Sequence, residues 1–424
     1  MSDVFLEFEW RGQLANATDG ARELLAREKV SAYIGFDPSA SSLHVGTLVP
    51  IVAMKRLQRF GHSPIALLGG GTGLIGDPSG KTVERMLLSA DDVRVNVEGV
   101  RAQLSKLLEK NAEGPAVRFV DNADWLTRMS AMEFLRDVGK YFTVNYLLAK
   151  DSVNRRLESE DGISFTEFSY SLLQAYDFLV LHDRFKCTLQ LGGSDQWGNI
   201  VAGCDLIRKL RGKPAHGVVM PLLTTSSGTK FGKTEAGTIW LDAGKTSPFR
   251  FYQFWLNADD RDVVSYLKYF TFRTQPEIGE LEQALETRPE QREAQRALAR
   301  DVTELVHGTD HVVRAERAAA VLFGGPLAQA SVDDILMVFD DAPSITMAAG
   351  ELDAGVSAAE MTVRTGLAAS KAEAGRLIKQ GGLYVNDRRF TDERGVMTMA
   401  DAISRSVIVL RKGQRERRIV KIQE

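Results

Sequence analysis

Cysteine is scarce in this chain, and long apolar runs and a large net charge are missing. Its 424 residues include two cysteines, Cys187 and Cys204, with no C-x-x-C spacing, so disulfide and structural zinc sites are excluded on count. No apolar stretch of about 18 residues could span a membrane. The N-terminal acids Asp3, Glu7 and Glu9 leave no basic segment of a secretory signal. We therefore expect a cytoplasmic protein with no membrane partner.

The glycine pattern of dinucleotide-binding enzymes is also missing after the first predicted strand. Residues 69–73 resemble it loosely but follow a later strand, which disfavours a dehydrogenase. The apolar content of 44% and charged content of 26% are ordinary for a globular protein. A length of 424 residues predicts two or three domains, because single cores stop growing near about 250–300 residues.

The net charge of −3 hides an uneven distribution. Residues 318–363 contain seven acids and no lysine or arginine, whereas residues 364–424 contain fourteen lysines and arginines against seven acids. A basic module thus follows an acidic connector, which is typical of a surface that binds a phosphate backbone. A charged, solubilising tail is the alternative.

Short β-rich runs alternate with helical patterns up to about residue 223. This alternation predicts an α/β domain with a mostly parallel sheet, whose ligands bind beyond the carboxyl ends of the strands. The predicted strands are 31–36, 65–68, 117–120, 187–191 and 218–223, and the helical patterns include 48–60, 131–140 and 166–181.

Long amphipathic runs replace the strand signal after residue 248, among them 259–270 and 289–307. Further on, a helix near 333–339, a capped helix at 370–380 and a strand at 383–386 are predicted. We expect a catalytic domain at 1–223, a linker at 224–247, a helical domain at 248–323, an acidic connector at 324–355 and a small basic α+β domain at 356–424.

Two loops resemble the halves of a triphosphate-binding clamp. The first, residues 38–47, ends in His44-Val45-Gly46-Thr47 where a predicted strand turns into a helix. Helix N-termini favour anionic phosphate oxygens. The second loop, Lys230-Phe231-Gly232-Lys233-Thr234, places two ammonium groups where both can reach one anion. Either loop alone is weak evidence for a nucleotide site, but the occurrence of both loops in one α/β chain indicates such a site.

Polar side chains cluster on one predicted helix and at two strand ends. Tyr170, Gln174 and Asp177 lie at positions i, i+4 and i+7, so they share one helix face. Buried together, they need polar partners, which a small zwitterion with a polar tail supplies. The strand ends add Asp77 with Lys81 and Arg85, and a glycine turn containing Gly193, Asp195 and Gln196. A partly solvated structural face is the alternative for the helix.

Four motifs together resemble the bacterial tyrosyl-tRNA synthetases, which are class I enzymes with a Rossmann-type catalytic domain. They are YIGFDP at 33–38, GLIGDPSGK at 73–81, GSDQWGN at 193–199 and KFGKT at 230–234. His44-Val45-Gly46-Thr47 corresponds to the family's HIGH signature and KFGKT to its KMSKS signature. The resemblance covers nearly the whole chain and implies an all-α anticodon-side domain and a C-terminal RNA-binding domain of the alpha-L type.

The resemblance implies a two-step reaction. L-tyrosine would react with ATP to give tyrosyl-adenylate and pyrophosphate, and the tyrosyl group would then pass to the 3′-terminal adenosine of tRNA(Tyr). Magnesium is expected on the ATP phosphates, with no protein metal site, no organic cofactor and no structural zinc. A homodimer is also implied, with the run Ile163-Ser164-Phe165 as a plausible contact.

The family's functional residues carry over to this chain by motif. Tyr33 and Asp177 would hold the phenol hydroxyl, and Asp77, Tyr170 and Gln174 would hold the α-ammonium group. Asp37 is also expected among the tyrosine-binding residues. The catalytic set is His44, Thr47, Ser39, Lys81, Arg85, Lys230, Lys233 and Thr234. The ATP set is Gly35, Gly46, Gly193, Asp195, Gln196, Leu222, Lys230 and Lys233. The expected RNA contacts are Lys371, Arg376, Lys379, Arg388, Arg389, Arg411 and Lys412.

This chain departs from the family at two positions. Thr47 replaces the second histidine of the HIGH signature, and Ile34 stands where many relatives have a cysteine. We expect somewhat weaker use of ATP as a result, without loss of activity. Two alternatives stay open: another adenylyl-transferring enzyme, such as a tryptophanyl synthetase or a small nucleotidyltransferase, and an RNA-binding paralogue that has lost activation.

Overall fold

The computed structural model describes residues 3–79, 87–109, 113–157, 162–228, 231–234, 237–322, 327, 331–339, 342–413 and 416–423. Two compact units are present. One contains residues 1–247 and 254–306, and the other contains residues 248–253 and 307–424. No helix in the described ranges is both long enough and apolar enough to cross a membrane.

A six-stranded sheet forms the centre of the first unit. Its strands are β1 (Asn16–Ala17), β2 (Ser31–Phe36), β3 (Ser63–Leu68), β4 (Arg118–Asp121), β5 (Cys187–Gly193) and β6 (His216–Met220), in the spatial order β1-β6-β5-β2-β3-β4. Strands β2 to β6 pair in parallel, and only the short edge strand β1 is antiparallel. The chain winds to one side through β3 and β4 and returns to the other through β5. The crevice between β2 and β5 is therefore the topological switch point, where such sheets bind ligands.

Ten helices among the described residues surround this sheet. They are α1 (Val4–Trp10), α2 (Ala21–Arg27), α3 (Leu48–Arg59), α4 (Ala90–Glu109), α5 (Ala123–Leu126), α6 (Ala131–Asp137), α7 (Val144–Leu148), α8 (Asp151–Leu157), α9 (Phe165–Phe185) and α10 (Trp197–Arg211). Helix α9 begins at the capping hydroxyl of Ser164, which accepts the Glu167 N–H, and ends at Lys186 in the left-handed conformation. Its apolar face packs into the core through residues such as Leu172 and Phe178.

A short hairpin and a helical region complete the first unit. In the hairpin, β7 (Lys233–Thr234) pairs antiparallel with β8 (Gly237–Thr238). Helix α11 (Pro248–Leu256) is divided between the units, because residues 248–253 belong to the other one. The helices of the first unit that follow are α12 (Asp260–Phe270), α13 (Gln275–Thr287) and α14 (Glu293–His307). The buried guanidinium of Arg56 on α3 donates to the carbonyls of Lys268, Tyr269 and Thr271, where α12 ends. Those carbonyls have no partner inside the helix, so Arg56 ties α12 to α3.

A second sheet organises the other unit. Its elements are α15 (Thr309–Leu322), α16 (Val332–Val338), β9 (Ser344–Ala348), α17 (Ala349–Ala354), β10 (Val356–Ser357), α18 (Ala358–Arg364), α19 (Lys371–Lys379), β11 (Leu383–Val385), β12 (Arg388–Phe390), β13 (Val396–Met397), β14 (Val407–Lys412) and β15 (Glu416–Gln423). Five strands form a sheet in the order β12-β11-β14-β15-β9, and β9 pairs in parallel with β15. The expected connector at 324–355 thus contributes one strand (β9) and two helices (α16 and α17) to this α+β body.

Candidate active site

One cavity of about 470 Å³ opens at the switch point between β2 and β5. Its size is that of a small-molecule site. It brings together all of the expected catalytic, amino-acid and ATP residues whose side chains the structure describes. These are Tyr33, Gly35, Asp37, Ser39, His44, Gly46, Thr47, Asp77, Tyr170, Gln174, Asp177, Gly193, Asp195, Gln196 and Leu222. Ile34 lines the same cavity.

The remaining expected residues lie partly outside the described ranges. Lys81, Arg85 and Lys230 are not among the described residues. Lys233 and Thr234 are described only as the backbone of β7. Their roles stay predictions from the sequence.

A carboxyl group and a phenol lie deep in the cavity. Asp177 on α9 is 1% exposed and accepts two hydrogen bonds, from Asn122 Nδ2 at 2.9 Å and from Trp125 Nε1 at 2.7 Å. Burial raises the pKa of Asp177 to about 8, against the lowering effect of those two donors. Tyr33 on β2 is 1% exposed, and its buried hydroxyl has no hydrogen-bond partner among the described residues. A ligand hydroxyl would give it one, since buried polar groups are costly when unpaired.

Asp37 directly follows β2 and connects Asp177 to a second tyrosine, Tyr170, through the side chains of Thr72 and Asn122. The hydroxyl of Tyr170 donates to Asp37 Oδ2 at 3.2 Å, and that of Thr72 donates to Oδ1 at 3.1 Å. Asn122 Nδ2 also donates to Thr72 Oγ1 at 3.0 Å. Burial, with Asp37 nearby, raises the pKa of Tyr170 well above its usual value. Tyr170 is therefore a neutral donor at physiological pH.

A third group of polar side chains surrounds Asp77. Gln196 Nε2 donates to Asp77 Oδ2 at 2.6 Å, and Gln174 Nε2 donates to Gln196 Oε1 at 3.2 Å. Asn199 Nδ2 lies 3.2 Å from both Gln174 Oε1 and Ser79 Oγ. With Asp37, this part of the cavity presents two carboxylates and several amide oxygens, which is the chemistry that recognises an ammonium group.

The first loop holds its histidine by a local hydrogen bond. The Gly46 N–H donates to His44 Nδ1 at 3.0 Å. Because Nδ1 accepts, the neutral ring carries its proton on Nε2 and offers a donor there. A Cβ on Gly46 would lie 2.8 Å from the His44 ring, so glycine is required for this close approach. The loop then continues into α3, and the helix N-terminus adds partial positive charge.

The second loop is fixed by an aromatic anchor. Phe231 is buried and lies 5.0 Å from the ring of Tyr266 and 5.3 Å from that of Phe270, both on α12. Gly232 follows with a φ of 83°, and a Cβ there would lie 2.7 Å from Val45 Cγ2 of the first loop. The second signature loop therefore begins against the first, and Phe231 reaches the cavity wall.

The expected RNA-binding residues lie in the second unit, and several of them are engaged within the chain. They lie on α19 (Lys371, Arg376, Lys379), β12 (Arg388, Arg389) and β14 (Arg411, Lys412). Arg389 Nε donates to the Gly381 carbonyl at 2.7 Å, and Lys412 Nζ donates to the Leu367 carbonyl at 3.0 Å. The Arg411 guanidinium lies 3.9 Å from the ring centre of Tyr384.

Sequence reasoning missed the residues that support the cavity from neighbouring elements. Asn122 follows the end of β4, so the rule that ligands gather at the carboxyl ends of parallel strands could have found it. Thr72 lies in the glycine run that follows β3, so the same rule covers it. Trp125 carried no comparable signal, because only tertiary packing brings it to Asp177.

Comparisons with known proteins agree with this geometry. Residues 25–324 match the family model described as tRNA synthetases class I (W and Y). Residues 334–420 match the tyrosine--tRNA ligase SYY-like C-terminal domain. The chain belongs to the class I tRNA synthetases of this tryptophan and tyrosine family.

Relatives with the name tyrosine--tRNA ligase match along their full length. The protein of Roseiflexus castenholzii is 54% identical over 100% of both chains, and that of Geobacillus stearothermophilus is 48% identical over 98% of both. Among solved structures, a C-terminally truncated Aspergillus nidulans mitochondrial tyrosyl-tRNA synthetase superposes with a TM-score of 0.68 at 32% identity. It covers 76% of this chain and 95% of its own.

Proposed function

We propose that this protein activates L-tyrosine with ATP, releasing pyrophosphate, and then transfers the tyrosyl group to the 3′-terminal adenosine of tRNA(Tyr). The observation that carries the proposal is the buried Tyr33 hydroxyl without a described partner, in the same cavity as the Asp177 carboxyl. A substrate phenol fits between them, since its oxygen can accept a hydrogen bond from the Tyr33 hydroxyl while its O–H group donates one to the Asp177 carboxyl. An indole has no oxygen for this position.

The opposite end of the amino acid would lie among the acids and amides. We assign the α-ammonium group to Asp77, Tyr170 and Gln174, with Asp37 holding Tyr170 in place. The hydrogen bonds from Gln196 to Asp77 and from Asn199 to Gln174 support the assignment, because they fix the orientations of these side chains before a substrate enters. The substrate carboxylate then faces the two signature loops.

Activation requires no protein nucleophile. The tyrosine carboxylate attacks the α-phosphorus of ATP, the P–O bond to the β-phosphate breaks, and pyrophosphate leaves with the electron pair. The protein contributes position and charge. We assign Ser39, the His44 Nε2–H and Thr47, with Lys81, Arg85, Lys230, Lys233 and Thr234, to the phosphates. Magnesium enters as part of the ATP substrate, held by its phosphates.

The adenosine would lie along the glycine positions of β2 and β5. A Cβ on Gly35 would meet nothing within 4 Å, and a Cβ on Gly193 would lie 3.1 Å from Leu222. We assign Gly46 of the first loop to close approach of the adenine. Asp195, which follows Gly193, is placed to accept from ribose hydroxyls, with Gln196 next to it. The proposed nucleotide site thus lies at the carboxyl ends of two neighbouring strands, β2 and β5.

A homodimer is part of the proposal and is supported by exposed apolar side chains on α6 to α9 of the first unit. They are Met132, Leu135, Val144, Leu148, Leu157 and Phe165. Phe165 is 73% exposed at the start of α9, the helix that carries the amino-acid residues. We expect Phe165→Asp to give monomers in sedimentation experiments, whereas Val95→Asp on the exposed side of α4 leaves the wild-type mass. A Phe165→Asp protein that sediments as a dimer would exclude this surface.

The basic C-terminal body is proposed to bind the tRNA backbone, and the enzyme to act in the cytoplasm. Its strongly cationic strands β12, β14 and β15 support this role. Arg388 and Arg376 are the strongest candidates among the expected residues, because no hydrogen bond or ion pair holds their side chains among the described residues.

Exchange of labelled pyrophosphate into ATP tests the activation step. Exchange that depends on tyrosine, with tryptophan and phenylalanine close to background, is the expected result. A signal with tryptophan and none with tyrosine would overturn the amino-acid assignment. Silence with both would favour an RNA-binding paralogue. Charging of tRNA(Tyr) with labelled tyrosine then tests the transfer step.

A further inference from the structure

The chain that follows the second signature loop forms a small ladder with the first loop. The Val45 N–H donates to the Ile239 carbonyl at 3.0 Å, and the Leu241 N–H donates to the Leu43 carbonyl at 2.9 Å. Between these bonds, His44 and Trp240 are directly paired as an antiparallel bridge. The backbone of the catalytic histidine candidate is thus fixed in register against a segment that lies six residues beyond Thr234.

The side chains of this pair also contact each other. The rings of His44 and Trp240 pack edge to face, with centroids 6.4 Å apart and planes at 72°. This is a favoured arrangement for aromatic rings. One side of the imidazole is fixed by the Gly46 N–H and another by the indole, so few orientations remain for the Nε2 donor.

Lys245 contacts both the Trp240 indole and the first loop. Its ammonium lies 4.8 Å from the centre of the Trp240 ring, and it donates to Ser41 Oγ at 2.9 Å. The backbone N–H of Trp240 donates to Thr246 Oγ1 at 3.0 Å. The two ends of the 240–246 turn are therefore hydrogen-bonded to each other, and Lys245 connects the turn to Ser41 of the first loop.

We propose that Trp240, supported by Lys245, is a positioning residue that orients the His44 Nε2–H toward the triphosphate and keeps the two signature loops in register. The inference rests on the proposed function. Trp240 contacts no substrate in this account. It acts through the histidine, so its effect must appear in the activation step and not in the binding of tyrosine.

A double-mutant cycle between positions 240 and 44 tests the inference. We expect Trp240→Leu to lower the kcat of tyrosine-dependent exchange about tenfold, since an edge-to-face pair and its cationic support are lost. The dissociation constant for tyrosine should stay within about twofold of wild type. In a His44→Asn background, the same change at 240 should cost less than about twofold, because the group it orients is gone.

Conservative variants separate positioning from general loss of structure. Trp240→Phe keeps an aromatic edge and should retain most of the activity. Lys245→Met should lower kcat about two- to fivefold, whereas Lys245→Arg, which keeps the cation, should restore it. A thermal melt of each variant accompanies the kinetics, and we expect cooperative melts close to wild type.

The inference would be overturned by equal losses from Trp240→Leu in both backgrounds, or by a loss of tyrosine affinity in parallel with kcat. Those results would give the indole a merely structural role. An inactive wild-type protein would instead contradict the proposed function, so the two failures are distinguishable.

Discussion

Removing the hydroxyl group from each of the two tyrosines in the cavity should affect the stability of the protein in opposite ways. The Tyr33 hydroxyl is buried without a described partner, whereas the Tyr170 hydroxyl donates to Asp37 at 3.2 Å. An unsatisfied buried group costs about 1–3 kcal/mol, and a neutral hydrogen bond contributes about 0.5–1.5 kcal/mol. We therefore expect Tyr33→Phe to melt no lower than wild type and Tyr170→Phe to melt at a lower temperature.

Their effects on selectivity differ in the same way. Asp177 keeps its bonds from Asn122 and Trp125 even when phenylalanine enters, so the hydroxyl of Tyr33 is the group that phenylalanine leaves unpaired. Loss of one neutral hydrogen bond predicts a fall of about two- to thirteenfold in the ratio of kcat/KM for tyrosine over phenylalanine in Tyr33→Phe.

Tyr170→Phe is the matched control for this measurement. It should lower kcat/KM for both amino acids by a similar factor, because each carries the α-ammonium group that Tyr170 is assigned. Pyrophosphate exchange with the two amino acids measures both ratios. An unchanged ratio in Tyr33→Phe, or a ratio that falls equally in both variants, would refute the assignment of the phenol end.

Three further predictions concern ionisation, ATP and tRNA. Burial holds the pKa of Asp177 at about 8, above its unfolded value, so the folded protein loses stability as pH rises from about 4 to 8. Asp177→Asn removes that loss, so the melting temperature of the variant should rise relative to that of wild type across this pH range. A constant difference between the two melting temperatures from about pH 4 to 8 would contradict the raised pKa. Installing Thr47→His and Ile34→Cys together should lower the KM for ATP in exchange, and an unchanged ATP dependence would count against the reading of those two positions. Removing residues 331–424 should abolish salt-sensitive tRNA binding while exchange continues, and equal loss of both would contradict the division of labour.

The start of the last truncation follows from the structure. A cut after residue 355, which the sequence boundaries suggest, would leave β9 without its partner strand β15. Unpaired strand edges and exposed apolar side chains favour aggregation. The cut at residue 331 removes the whole sheet instead.

Strong local patterns account for the elements that sequence reasoning found. The β-rich run at 31–36 is followed by Asp37 and Pro38, and β2 occupies those six residues. The i, i+4, i+7 spacing of Tyr170, Gln174 and Asp177 does lie on one helix, and all three line one cavity. The mostly parallel sheet and its switch point also follow from the alternation of strands and helices.

Elements defined by long-range pairing were not predictable in the same way. Strand β1 has two residues and exists through its pairing with β6. Strand β9 lies in a stretch that reads as an acidic connector, and its partner is more than seventy residues further along the chain. The donors to Asp177 come from the end of β4 and from α5, so packing alone determines that they meet.

The position of a bound tyrosine tests the central claim most directly. In a crystal structure with tyrosine, we expect the phenolic oxygen within about 3.2 Å of both the Tyr33 hydroxyl and an Asp177 carboxyl oxygen, with the amino acid carboxylate toward His44. A tyrosine ring seated elsewhere in the cavity, or bound in the reverse direction, would contradict the account.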